Sequence, residues 1–184
     1  MFRKPSLFVI AALSLILSSL NLAAQDDGSN DVGYRFFTGG NLGLGLGTIT
    51  NIDVSPMIGY HILPYWSVGL GGTYQYYLDK RYPYDPVSLN IIGGRAFTRV
   101  YPIPQLMGHL EFEHLSYKTN LTLFPGMNPD ERIHSNNLLA GVGYRQQVGM
   151  QAYSYIMILW NLNQTQYTPY TNPVFRVGFE IGLW

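Results

Sequence analysis

The chain has 184 residues, no cysteine, and 11 basic against 11 acidic side chains. That length suits one domain; the missing cysteine excludes disulfides, thiolate metal centres and thiol nucleophiles, and the balanced charge offers no footprint for nucleic acid. Only 12% of residues are charged, about half the share of an ordinary soluble domain, while tyrosine (15) and glycine (20) are abundant.

In chain order, Arg3 and Lys4 precede the apolar run from Leu7 to Leu17, and small residues follow at Ala23 and Ala24. This pattern predicts a secretory signal peptide over residues 1–24. The run is shorter than the roughly 20 residues needed to span a bilayer as a helix. Residues 25–35 read as a polar, flexible lead-in. The stretch Asn41 to Thr48, NLGLGLGT, then resembles a phosphate-binding loop at first sight. Such a loop needs its glycines in a tight turn that opens a helix. Here the alternation continues through Ile52, Val54, Ile58, Tyr60 and Ile62. The stretch therefore reads as a strand, with leucines on one face and glycines on the other making room for bulky inward neighbours.

The same period-2 rhythm predicts eight strands near 36–49, 52–62, 66–79, 87–100, 106–119, 135–148, 151–164 and 174–183. Connections alternate between tight turns, at Leu63–Tyr65, Tyr101–Gln105 and Gly149-Met150, and longer loops, at Lys80–Pro86, Asn120–His134 and Gln166–Pro173. Most strands carry one apolar and one polar face. Strand eight sets Phe175, Val177, Phe179, Ile181 and Leu183 against Arg176 and Glu180. Seven of these strands run 11 to 14 residues, long for a sandwich, where five or six is usual. Tyr60, Tyr65, Trp66, Tyr101 and Trp184 gather near the short turns, and Tyr76, Tyr77, Tyr117 and Tyr167 near the long loops, as two interfacial girdles would.

On these features the chain resembles the small eight-stranded outer-membrane barrels of Gram-negative bacteria, of the OmpA/OmpX-type architecture. The resemblance implies an eight-stranded antiparallel up-and-down transmembrane β-barrel over residues 36–184, with both termini periplasmic. It also implies contact with the lipid bilayer and lipopolysaccharide, and insertion by barrel-assembly machinery. The terminal strand, through Phe179, Ile181, Leu183 and Trp184, is the expected assembly signal, with Trp184 one residue out of phase with the lipid face.

The inward face gathers Arg95, Arg99, His109, Glu111, Glu113, Arg145, Arg176 and Glu180. A channel or an acid/base site is one reading of them. An eight-stranded barrel leaves room only for side chains, and buried charges persist when paired, so a salt-bridged plug is the expectation. Asp130, Glu131, His134 and Ser135 offer rim chemistry, yet neighbours on a strand point to opposite faces. No catalytic, cofactor or metal site is expected. The loop residues Arg81, Tyr82, Tyr84, Leu123, Phe124 and Met127 are candidate partner contacts, because exposed apolar loops mark interaction sites. The function expected is structural or interactive: a small barrel with a side-chain-filled lumen that contributes to membrane integrity or docks as an accessory subunit on a larger outer-membrane complex. A lipid-active barrel enzyme and a soluble lipocalin-like barrel are the alternatives.

Overall fold

The computed structural model describes residues 34–45, 49–79, 87–118, 131–165, 167–170 and 172–183. Eight strands follow one another: β1 Phe36–Gly45, β2 Ile49–Leu63, β3 Trp66–Asp79, β4 Val87–Ile103, β5 Leu106–Lys118, β6 Arg132–Gly149, β7 Ala152–Asn161 and β8 Val174–Gly182. Each pairs antiparallel with the next, and β8 returns to β1, with Phe37 opposite Gly182 and Leu42 opposite Val177. The sheet is a closed up-and-down barrel without an edge strand.

Local chemistry sets the boundaries. Two-residue turns join β2 to β3 at Pro64-Tyr65, β4 to β5 at Pro104-Gln105, and β6 to β7 at Met150-Gln151. Register shifts accompany all three, between His61 and Leu63, Val100 and Ile103, and Gln147 and Gly149. The second shift carries β4 three residues past its predicted end, to Ile103. β6 likewise begins at Arg132 rather than 135, so His134 stands on a strand and not in a loop. Pro56 has no N–H to donate, and Ser55 and Pro56 have no register partners on β3.

Even spacing through the turns fixes the faces. From β1 to β7 the inward strand side chains carry odd numbers, and on β8 they carry even ones. Two expectations change as a consequence. Tyr101 and Tyr117 are buried inside the barrel, not in the girdles. The outer aromatic positions include Phe36, Tyr65, Trp66 and Tyr144 toward the short turns, and Tyr74, Trp160 and Phe175 toward the long loops, with Phe112 and Phe179 also outside.

Among the described residues, glycines make space inside on several strands. A Cβ at Gly59 would run into the Phe37 ring, and one at Gly69 into Phe97. At Gly71 it would lie 2.8 Å from Arg95 Nε, at Gly143 2.8 Å from Met107 Cε, and at Gly178 2.5 Å from the Tyr155 ring. Gly43 and Gly45 lie on β1, while residues 46–48 fall outside the described residues.

Candidate functional site

The eight residues expected to form the lumen polar network come together as one network. Each is 4% exposed or less. Glu180, from β8, lies toward the short-turn end. Arg99 Nη1 donates to its Oε2 at 2.8 Å, and Arg145 Nη1 to its Oε1 at 3.0 Å. Arg99 Nε donates to His109 Nδ1 at 3.2 Å, which leaves Nε2 as the protonated nitrogen of a neutral ring. That nitrogen meets Glu111 Oε2 at 3.1 Å. Glu111 also accepts from Arg176 Nη1 at 2.6 Å and has Arg95 Nη1 3.7 Å away. Glu113 faces Arg176 Nη2 at 3.7 Å and accepts from the Thr73 and Tyr170 hydroxyls at 3.0 and 2.5 Å.

Aromatic rings fill the space between the cations. The Arg99 guanidinium lies 4.6 Å from the Phe97 centroid and 4.8 Å from that of Tyr155. Arg145 lies 4.0 Å from Tyr101 and 4.4 Å from Tyr153. Cations over ring faces gain from the ring quadrupole, most of all when desolvated. Apolar clusters complete the interior. Phe37, Met57, Met107, Leu139, Met157 and Leu159 pack among the charged groups. Leu89, Ile91, Leu115, Tyr117 and Ile133 form a second cluster toward the long loops.

Several contributors carry no charge, and a charge pattern does not reveal them. The Asn41 amide oxygen accepts from both Arg95 Nη atoms, at 2.8 and 2.9 Å, while its nitrogen donates to the Tyr155 hydroxyl. The Ser55 carbonyl, beside the ladder gap at Pro56, accepts from Arg95 Nη2 at 3.0 Å. Asp53 shares the inward parity of β2 and accepts from Ser55 Oγ at 2.5 Å. Parity is the sequence signal that finds Asn41, Asp53, Ser55 and Thr73.

The connection between β7 and β8 folds into the barrel mouth. Tyr117 donates to the Tyr167 carbonyl at 2.6 Å, Thr168 to Asn137 Oδ1 at 3.1 Å, and Tyr170 to Glu113. Asn172 and Asn161 exchange two bonds at the loop base, of 2.8 and 3.0 Å. Burial, and secondarily the Glu113 carboxylate, push the Tyr170 phenol far above its usual pKa. It stays protonated and donates.

The rim residues do not converge. His134 is exposed on the outer face, whereas Ser135 is buried and donates to Asn137 at 3.3 Å. His61 and His114, isolated in sequence, both have ring partners. His61 is buried among Tyr34, Phe37 and Tyr101, and His114 stacks on His134. Among the described residues, His61 Nδ1 and Nε2 and the Tyr34 hydroxyl have no hydrogen-bond partner. Among the described residues no three His, Asp or Glu side chains could hold a metal ion. Phe179 and Ile181 point outward on β8. Asp130, Arg81, Tyr82, Tyr84, Leu123, Phe124, Met127 and Trp184 lie outside the described residues.

No protein-family model matches the chain, and no curated protein matches it. Among solved structures it is similar to a chain from the de novo design of transmembrane β-barrels, at 12% identity with a TM-score of 0.43, covering 86% of this chain and 98% of that one.

Proposed function

We propose that this chain is an integral outer-membrane β-barrel of a Gram-negative bacterium, of the OmpA/OmpX type. Its role is structural or interactive, as a small barrel that stabilises the membrane or docks on a larger complex. The observation that carries this reading is the inverted polarity of the wall. Arginines and carboxylates are buried inside, while Leu70 and Phe175 outside are 64% and 61% exposed. A water-soluble barrel with a ligand-binding lumen needs the reverse, since contiguous exposed apolar surface on soluble monomers rarely exceeds a few hundred Å².

Strand length agrees. The ten residues of β7 rise about 24 Å at ~3.4 Å per residue and a tilt near 45°. The apolar band of outer-membrane barrels is about 25 Å tall. The paired lumen charges favour a plug over a pore, because each carboxylate already holds a cation or a hydroxyl donor. Against the enzyme alternative, His134 and Ser135 stand on opposite faces of β6 and do not form a nucleophile–base pair.

The test is extraction of the tagged protein from outer membranes in mild detergent, followed by mass measurement and planar-bilayer recording. A heat-modifiable barrel without open-channel conductance, alone or with stoichiometric partners, is expected. Recovery in the soluble fraction, or steady conductance steps, would overturn the proposal.

A further inference from the structure

Two of the four histidines meet on the outward wall. His114, on β5, and His134, on β6, are both exposed. Asn136 lies opposite His114 and Ser116 opposite His134, so the two histidines are diagonal neighbours on one face of an antiparallel pair. Diagonal neighbours are about 7–8 Å apart at the backbone, within reach of aromatic side chains. Here the rings stack 5.4 Å apart at 22°, and His134 Nδ1 comes within 3.3 Å of His114 Nε2.

A neighbouring amide sets the protons of the pair. His114 Nδ1 lies 2.6 Å from Asn136 Oδ1, and an amide oxygen only accepts. The neutral His114 ring therefore carries its proton on Nδ1 and a lone pair on Nε2, and His134 Nδ1 supplies the hydrogen between the rings. With that proton moved to His134 Nε2, two lone-pair nitrogens stand 3.3 Å apart. Two nitrogens bound tetrahedrally to zinc at about 2.0–2.1 Å lie about 3.3–3.4 Å from each other. The pair has that width. Asn136 adds a second feature of a ligating histidine, a carbonyl oxygen that accepts from the remote ring N–H and fixes the tautomer.

The surroundings decide which ion fits. Among the described residues no carboxylate occupies an outward strand position, so hard cations that need oxygen ligands find little to hold them. Imidazole suits zinc, nickel and copper. Lys118 and Arg132, exposed on the same two strands, supply no ligand and repel a dication, which favours ions with a strong preference for nitrogen. His61 and His109, each 4% exposed inside the barrel, do not compete.

We propose that His114 Nε2 and His134 Nδ1 form a two-nitrogen site for a divalent transition-metal ion, with Asn136 positioning His114. The other coordination positions are open to water or an external donor. On binding, the His134 proton passes from Nδ1 to Nε2 by way of solvent; both rings stay neutral and no net proton is released. The site depends on the pairing of β5 with β6, and not on whether lipid or water surrounds the wall.

The test is titration of the untagged barrel, refolded in detergent, with Cu²⁺, followed by electron paramagnetic resonance. Saturation at one copper per chain, with splitting from two imidazole nitrogens, is expected. Asn136→Leu should keep both nitrogens and weaken binding about ten-fold, as loss of an orienting partner does. His114→Gln and His134→Gln should each remove one nitrogen and weaken binding by more than that. Excess Zn²⁺ should displace the copper, and Ca²⁺ should not. Gel mobility without boiling shows that each variant is folded. In the native chain Zn²⁺ should also raise the urea midpoint, because only folding brings the two rings together. Binding without saturation, copper held equally by the double histidine variant, displacement by Ca²⁺, or an unmoved urea midpoint overturns the site.

Discussion

Replacing Glu180 by glutamine tests the interior network where its connections are densest. Glu180 is fully buried and joins β8 to β4 and β6 through Arg99 and Arg145, at 2.8 and 3.0 Å. Glutamine preserves the shape and one acceptor oxygen. It removes the charge, and it turns an NH₂ group toward one of the two arginines. Breaking a buried ion pair by removing one partner costs about 3–5 kcal/mol, since the remaining charge stays desolvated. Glu113→Gln is the comparison. Its cation is 3.7 Å away, and an amide oxygen can still accept from Thr73 or Tyr170. A loss of about 1–2 kcal/mol is expected there, the scale of one or two ordinary hydrogen bonds. Urea titration of both variants in phosphatidylcholine vesicles, followed by tryptophan fluorescence and by gel mobility without boiling, measures the difference. A Glu180→Gln loss below about 1 kcal/mol, or one smaller than that of Glu113→Gln, would refute the view that paired charges hold the lumen together.

Glycine substitutions should separate the two faces. At Gly178 a Cβ would sit 2.5 Å from both the Tyr155 ring and the Gly40 carbonyl oxygen, whereas at Gly94 its nearest neighbour is 3.9 Å away. Gly178→Ala should lose at least the ~1–3 kcal/mol typical of overpacking, and Gly94→Ala should change folding yield little. Tyr170→Phe removes a hydrogen bond to a carboxylate, worth about 1.5–3 kcal/mol, and should speed proteolysis within residues 162–173 about ten-fold or more. Because the folded state raises the Tyr170 pKa, its contribution is complete below the unfolded value of about 10. It is lost as pH climbs from there toward the folded value. The native loop should therefore open in strong alkali, and the phenylalanine variant should lack that component of the opening.

Much of the fold was legible because a strand buried on one face writes its orientation into alternate residues. Strand eight, with Arg176 and Glu180 inside and Phe175, Val177, Phe179 and Ile181 outside, needed no other information. The meeting of Arg99 with Glu180, 81 positions apart, was harder to see. It depends on barrel closure and register, which no local pattern specifies. Tyr101 and Tyr117 lie close to strand ends, as girdle residues do, yet their odd parity turns both inward. His61 and His114 looked isolated for a related reason, since their ring partners come from neighbouring strands. Asn41 was obscured by the glycines around it, although its parity places it inside. The bond from Tyr170 to Glu113 is a loop-to-strand contact, and loops carry no periodicity from which to read it.

The central claim is that lipid, not water, surrounds the wall. Because the chain lacks cysteine, single cysteines at Ile58, Ile92, Phe112 and Val177, all outward and exposed, can carry nitroxide labels without competing sites. Paramagnetic accessibility in refolded vesicles then compares oxygen, which partitions into lipid, with a water-soluble nickel chelate. Oxygen should dominate at all four positions. Chelate-dominated relaxation at these positions would contradict it and make the chain a barrel in water.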